Sequence, residues 1–249
     1  MKKTVLLFLV LAGVCRGAHD HVEVGRDRVS ASRLGLDGPT VQVACFVPRG
    51  EFFSGYTPAF PGGWHASELT FTTETNALVQ ASGASPRIEL VSVGGPTGGI
   101  FSFWEVGAKA PTWSRQTGWN PSQGSAPSFP VVFSGDPHAH GRVFTMDKPG
   151  NYTVVLRAVD SAGLFSASAN YTVAFRAQQP PQLSIGISGG NASLSFTSRV
   201  KLTYDLQRCV DLEGGQWTTI STIDGDGSRK SQGDSLSGRA KAFYRLVEY

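Results

Sequence analysis

Short stretches in which apolar and polar residues alternate run along most of the chain, with no sustained three-to-four-residue apolar period of the kind an amphipathic helix requires. "VQVACFVP" (41–48) puts Val41, Val43, Cys45 and Val47 on one face of an extended strand, and "SELTFTTE" (67–74) and "RIELVSVG" (87–94) alternate likewise. "NYTVVLRAV", then "DSAG", then "LFSASANYTVAF" predicts an antiparallel hairpin with Tyr152, Val154, Leu156 and Ala158 facing inward. Several such strands punctuated by Gly, Pro and Ser predict an all-β fold, an immunoglobulin-like β-sandwich over residues 18–175. Within it, the Gly/Pro/Trp-rich stretch 94–130 reads as two short strands and long loops.

"RAQQPPQ" (176–182) is the clearest linker, because Pro180 and Pro181 donate no ladder hydrogen bonds and favour an extended spacer. Short alternating strands and Gly-rich turns then resume, so residues 183–249 are expected to form a second, smaller all-β module. The halves share no internal repeat.

The first residues change the setting. Lys2 and Lys3 precede an uncharged apolar run, Val5 to Val14, followed by small residues, which is the three-part pattern of a secretory signal peptide over residues 1–17 and too short a run to span a bilayer. The expected address is therefore secreted: periplasmic, cell-surface or extracellular. Its removal takes away Lys2, Lys3 and Arg16 and no acid, bringing the formal charge from +3 to zero. Without a net positive field or a basic stripe, nucleic acid and anionic membranes are not expected partners, and the mature chain is expected to hold no transmembrane segment. An envelope or surface partner is left open. Cys45 and Cys209 remain after cleavage; they fall in different modules and are expected as free, buried thiols.

"HVEVG" (21–25) and "HAHGRVFTMDKPGNYTVV" (138–155) together resemble the choice-of-anchor M domain of bacterial surface-anchored and secreted proteins. His21, Glu23 and Gly25 match its early H-[VI]-[DE]-x-G element; His138, His140, Pro149, Gly150 and Tyr152 match its later H-x-H and P-G-x-Y elements, and "WSRQTGWN" (113–120) is similar to a further family segment. The family's tryptophan three residues after the second histidine is Val143 here, with Phe144 the nearest aromatic, so a bulge near Gly141 is required to restore the strand's face. The resemblance implies a surface protein and metal handling. The second module resembles a recurrent ending of large bacterial extracellular proteins, through Tyr204, Leu206, Gln207, Asp211, Leu212, Trp217 and Phe243 to Leu246, with Cys209 in place of the usual serine. Trp217 and Phe243 are expected in its core.

Of five histidines, four form two H-x-H pairs: His19 with His21, and His138 with His140. Residues i and i+2 of a strand point to one face roughly 6.5 Å apart, so both imidazoles reach a single metal. An N-terminal strand pairing with the strand after Pro137 would bring His21, His138 and His140 together, with His19 and His65 as further ligands and Glu23 and Asp136 as acceptors that orient the rings. Neutral imidazoles without a cysteine pair favour zinc first and copper second. The competing reading gives the same histidines a structural or hydrogen-bonding role.

No catalytic residue is expected, since neither an H-E-x-x-H helix nor a C-x-x-C pair occurs. Two alternatives stand beside the non-enzymatic metal-binding reading. One is an adhesion or carbohydrate-binding module that uses Trp64, Trp104, Trp113 and Trp119 as stacking platforms. The other is a histidine-brace copper oxygenase, for which cleavage after Ala18 must leave His19 with the free amine.

Overall fold

The computed structural model describes residues 4–7, 20–47, 62–66, 69–74, 76, 79, 82–132, 135, 137–139, 141–200, 202–212 and 216–248. The protein is all-β, with sheets in a sandwich-like arrangement. It divides into two compact units: Gly17–Cys45 with Arg49–Gln178, and Met1–Arg16 with Phe46–Pro48 and Gln179–Tyr249.

The larger unit carries a nine-stranded sheet in the spatial order β10 (Ser128–Pro130), β7 (Pro86–Gly94), β12 (Gly150–Asp160), β13 (Tyr171–Ala177), β4 (Val41–Val47), β5 (Gly63–Ala66), β11 (Val143–Met146), β8 (Ile100–Trp104) and β9 (Trp113–Gln116). Aromatic side chains make this sheet fold over on itself. Phe103 of β8 stacks on Phe129 of β10, from near the other end of the order, with ring centroids 4.2 Å apart and planes at 11°. Phe101 and Phe144 lie 5.0 and 5.3 Å from Phe175 of β13, so β8 and β11 cover β13. A second, three-stranded sheet runs β3 (Leu34–Asp37), β2 (Asp20–Arg26), β6 (Leu69–Thr72), and Phe71 of β6 joins the cluster 5.5 Å from Phe129.

The hairpin pattern over 150–177 is realised in β12 and β13: Tyr152, Val154, Leu156 and Ala158 are all fully buried, and Tyr152 pairs with Phe175, Val154 with Val173. Pairing resumes only at Tyr171, so the connection is longer than "DSAG" suggested. Asp160 organises it: Oδ1 accepts from Ser85 N and Ala162 N, and Oδ2 from Leu164 N and Phe165 N. In β7, Ile88, Leu90 and Val93 are buried, the alternation breaking where Val91 bulges between residues paired with Val155 and Leu156.

Three expectations are corrected here. In β4 burial does not follow the apolar face: Val41 is 38% exposed while Gln42 and Ala44 are buried along with Cys45. Gln42 tolerates this because its Nε2 donates to Asp20 Oδ2 at 2.8 Å. Cys45 is disulfide-bonded, and among the described residues Cys209 is the free thiol. Stretch 94–130 holds three strands, β8, β9 and β10, and a short 3₁₀ turn at Pro121–Gln123 closed by an Asn120–Gln123 capping box. β10 was missed because "SFP" is too short to show a period.

In the smaller unit β1 (Thr4–Leu7), β19 (Lys241–Glu248), β16 (Thr203–Cys209) and β17 (Thr218–Asp224) form one sheet, and β14 (Ser184–Ser188), β15 (Asn191–Thr197) and β18 (Arg229–Ser235) another. Thr4–Leu7, inside the stretch read as a signal peptide, pair in parallel with Lys241–Tyr244. Tyr204, Leu206, Tyr244 and Leu246 form the core. Trp217 is half-buried rather than a core residue: its ring lies 4.5 Å from the Arg245 guanidinium, whose Nε donates to Gln207 Oε1.

Candidate functional site

The site grows from β2. Val22 and Val24 are fully buried and turn their side of the strand to the core, so the period of two sends His21, Glu23 and Gly25 to the opposite side. β6 lies beside β2 in parallel, with His21 opposite Thr70 and Glu23 opposite Thr72. On the far edge of β6, His138 forms a bridge with Thr72, and Thr73 N donates to Pro137 O. β2 and the segment after Pro137 are therefore not paired directly; β6 stands between them. Facing side chains on one side of that three-part arrangement still meet, and the His21 and His138 rings stand edge to face, centroids 4.2 Å apart at 86°.

His138 is oriented by an acid that the sequence did not single out. Its Nδ1 is 2.8 Å from Glu74 Oε2, and the His138 side chain is only 12% exposed. Glu74 is itself fixed at the end of β6, its backbone N donating to Thr72 Oγ1. Neither Glu23 nor Asp136 has this place: Glu23 stands opposite Asp37 of β3, and Asp136 lies outside the described residues. The signal that might have found Glu74 is weak, a carboxylate two residues beyond a strand end and 64 positions from the histidine it touches.

His65 sits elsewhere, buried in β5 of the nine-stranded sheet and opposite Thr145 of β11. His19 and His140 lie outside the described residues. Among the described residues no group of three or more His, Cys, Asp or Glu side chains stands in position to hold a metal ion.

Gly141, two residues before β11, has φ +80°, a left-handed conformation that glycine adopts without strain. Beyond it Val143 and Phe144 are both buried. Gly25 has a different reason: a Cβ there would come within 2.3 Å of Asn76 Nδ2.

The four tryptophans proposed as stacking platforms are buried, Trp64 at 4%, Trp104 at 1%, and Trp113 and Trp119 at 8% exposure. Trp64 Nε1 donates to Gln178 O and Trp104 Nε1 to Thr145 Oγ1. Among the described residues no helix is long and apolar enough to cross a membrane. No protein-family model and no curated protein matches the chain.

Proposed function

We propose that the chain is a secreted, non-enzymatic surface protein of the choice-of-anchor M type, and that it binds a transition metal, zinc first and copper second, at the His21–His138 pair. The observation that carries this reading is the contact between these two rings, one from each H-x-H element of the sequence, 4.2 Å apart by centroid. Glu74 on His138 Nδ1 supports it, since a carboxylate on one ring nitrogen fixes the tautomer that leaves Nε2 as the ligating atom. Two imidazoles sharing a tetrahedral ion through bonds of about 2.0–2.1 Å have centroids roughly 5 Å apart, so binding requires the two rings to move apart and turn a nitrogen each toward the ion. Two protein nitrogens are too few for a stable zinc site, and the H-x-H spacing makes His140 and His19 the residues to complete it.

Metal analysis and thermal melts of the exported protein test this. The expected result is one equivalent of zinc and a metal-dependent rise in Tm. His21→Ala with His138→Ala should abolish both, and Glu74→Gln should weaken zinc binding by about 10- to 100-fold. Substoichiometric metal, or full retention by the double variant, would overturn the reading. N-terminal sequencing of the same sample decides the copper-brace alternative by showing whether His19 carries the free amine.

A further inference from the structure

The outward side of β2 continues past His21 into a cleft of about 490 Å³, within the range of about 300–1,000 Å³ typical of small-molecule sites. Gly25 and Gly35, opposite each other on β2 and β3, contribute no side chain to its lining, and Asn76 Nδ2 and the Asp27 backbone pack against them. Glu23, Asp37, Arg26, Asn76, Asn170 and Tyr171 supply its polar walls. Arg26 holds its guanidinium 5.2 Å from the Phe165 ring, and its desolvated Nε has no hydrogen-bond partner among the described residues. Asn76 is set in place by Val79 N, which donates to its Oδ1, while Nδ2 rests against Gly25. Tyr171 Oη donates to Pro39 O at 2.6 Å, fixing the ring as a wall. Burial, then the charges of Asp37 and Asp20, push this phenol up to about 12, so it stays protonated.

The lining decides what fits by its charges. Three carboxylates, Glu23, Asp27 and Asp37, and two guanidiniums, Arg26 and Arg28, line one cleft, where Asp37 already pairs with Arg28 and Asp27 with Arg33. A phosphate-like anion would meet the carboxylates, and a bare cation the guanidiniums. An apolar ligand would strip water from both without replacing its hydrogen bonds. A neutral polyol satisfies both signs, because each hydroxyl donates to a carboxylate while accepting from a guanidinium or amide.

We propose that this cleft is a saccharide site: it binds a neutral sugar whose hydroxyls bridge the carboxylates to Arg26 and Asn76, with an apolar ring face against Tyr171. The site uses none of the buried tryptophans and does not depend on a metal at His21 and His138.

The test is an array of neutral oligosaccharides probed with the exported protein, followed by titration calorimetry with the best-binding sugar. At least one neutral saccharide should bind, and Asn76→Ala and Asp37→Asn should each weaken it about tenfold or more, as expected for loss of hydrogen bonds to a buried or charged group. His138→Ala should leave the affinity unchanged, which separates this site from the metal reading. Asp37 is exposed, so Asp37→Asn decides the matter if Asn76→Ala does not fold. No binding by folded protein, affinity unmoved by Asp37→Asn, or a preference for inorganic phosphate over every neutral sugar would overturn the proposal.

Discussion

The larger unit is centred on rings: Phe101, Phe103, Phe129 and Phe144 are each 1% exposed or less, and Phe101, Phe129 and Phe144 contact residues from strands that are not neighbours in the sheet. In the smaller unit Phe196 lies 5.0 Å from Tyr204, and buried charged groups join the core. Glu248, fully buried, pairs with Arg199, whose backbone N donates to Tyr204 Oη; Asp234 takes Arg208 on one oxygen and Tyr244 Oη on the other. Burial pulls the Arg199 guanidinium below the usual arginine value, a sign that its charge is held at a cost. Two units written in the same alternating pattern thus combine ring packing and buried charge in different proportions. Alternation specifies which side of a strand is inside, and says nothing about whether ring packing or hydrogen bonding will do the holding.

Breaking the ring cluster should have the largest effect. Phe103→Ala removes the stack on Phe129 and leaves a cavity, and should cost about 4 kcal/mol of unfolding free energy, measured by urea denaturation with hydrogen exchange of the β12 amides. A loss below about 1 kcal/mol would mean that the fold-over of the sheet does not depend on this contact.

The polar unit should respond in a way the ring cluster cannot. Glu248→Leu alone leaves Arg199 buried without its carboxylate and should cost about 3 kcal/mol, read from the protection of the β16 and β19 amides. Arg199→Met added to it should restore most of that loss, because an apolar pair needs no compensation. Equal losses in the single and double variants would show that packing around residue 248, rather than charge, is what matters.

The smallest effect concerns Asp160, the polar staple of the ring-centred unit. Burial raises its pKa, but hydrogen bonds from the backbone N–H groups of Ser85, Ala162, Leu164 and Phe165 outweigh it and hold the carboxyl below the usual aspartate value. A folded pKa below the unfolded one gives stability that is complete above about pH 4 and lost as pH falls through the folded value. Asp160→Asn should therefore cost below about 1 kcal/mol at neutral pH and flatten the acid side of the stability profile, checked by melts between about pH 2 and 7. An unchanged acid slope would show that the loop does not depend on the charge.

Much of this could be read from the chain because strand periodicity is a local property. β12 is the clearest case: its inward residues follow from the pattern alone and all four are buried. β4 shows where that reading stops. Its valines mark one face, yet Gln42 is inside, since Asp20 from another strand supplies the partner that makes its burial tolerable. β6 lies further out, with Leu69 to Thr72 buried on both faces, which no alternation could announce.

At the candidate site the same division holds within one residue triplet. That His21, Glu23 and Gly25 share a face is determined by the period of two, and needs no structure. That β6 stands between β2 and His138, that Glu74 rather than Glu23 orients the His138 ring, and that Gly25 makes room for Asn76 were decided by tertiary structure. Each of these contacts joins residues about 50 or more positions apart. Their meeting depends on which strand edges pair and in what register, and that is set by burying the aromatic core as a whole, not by the residues at the site.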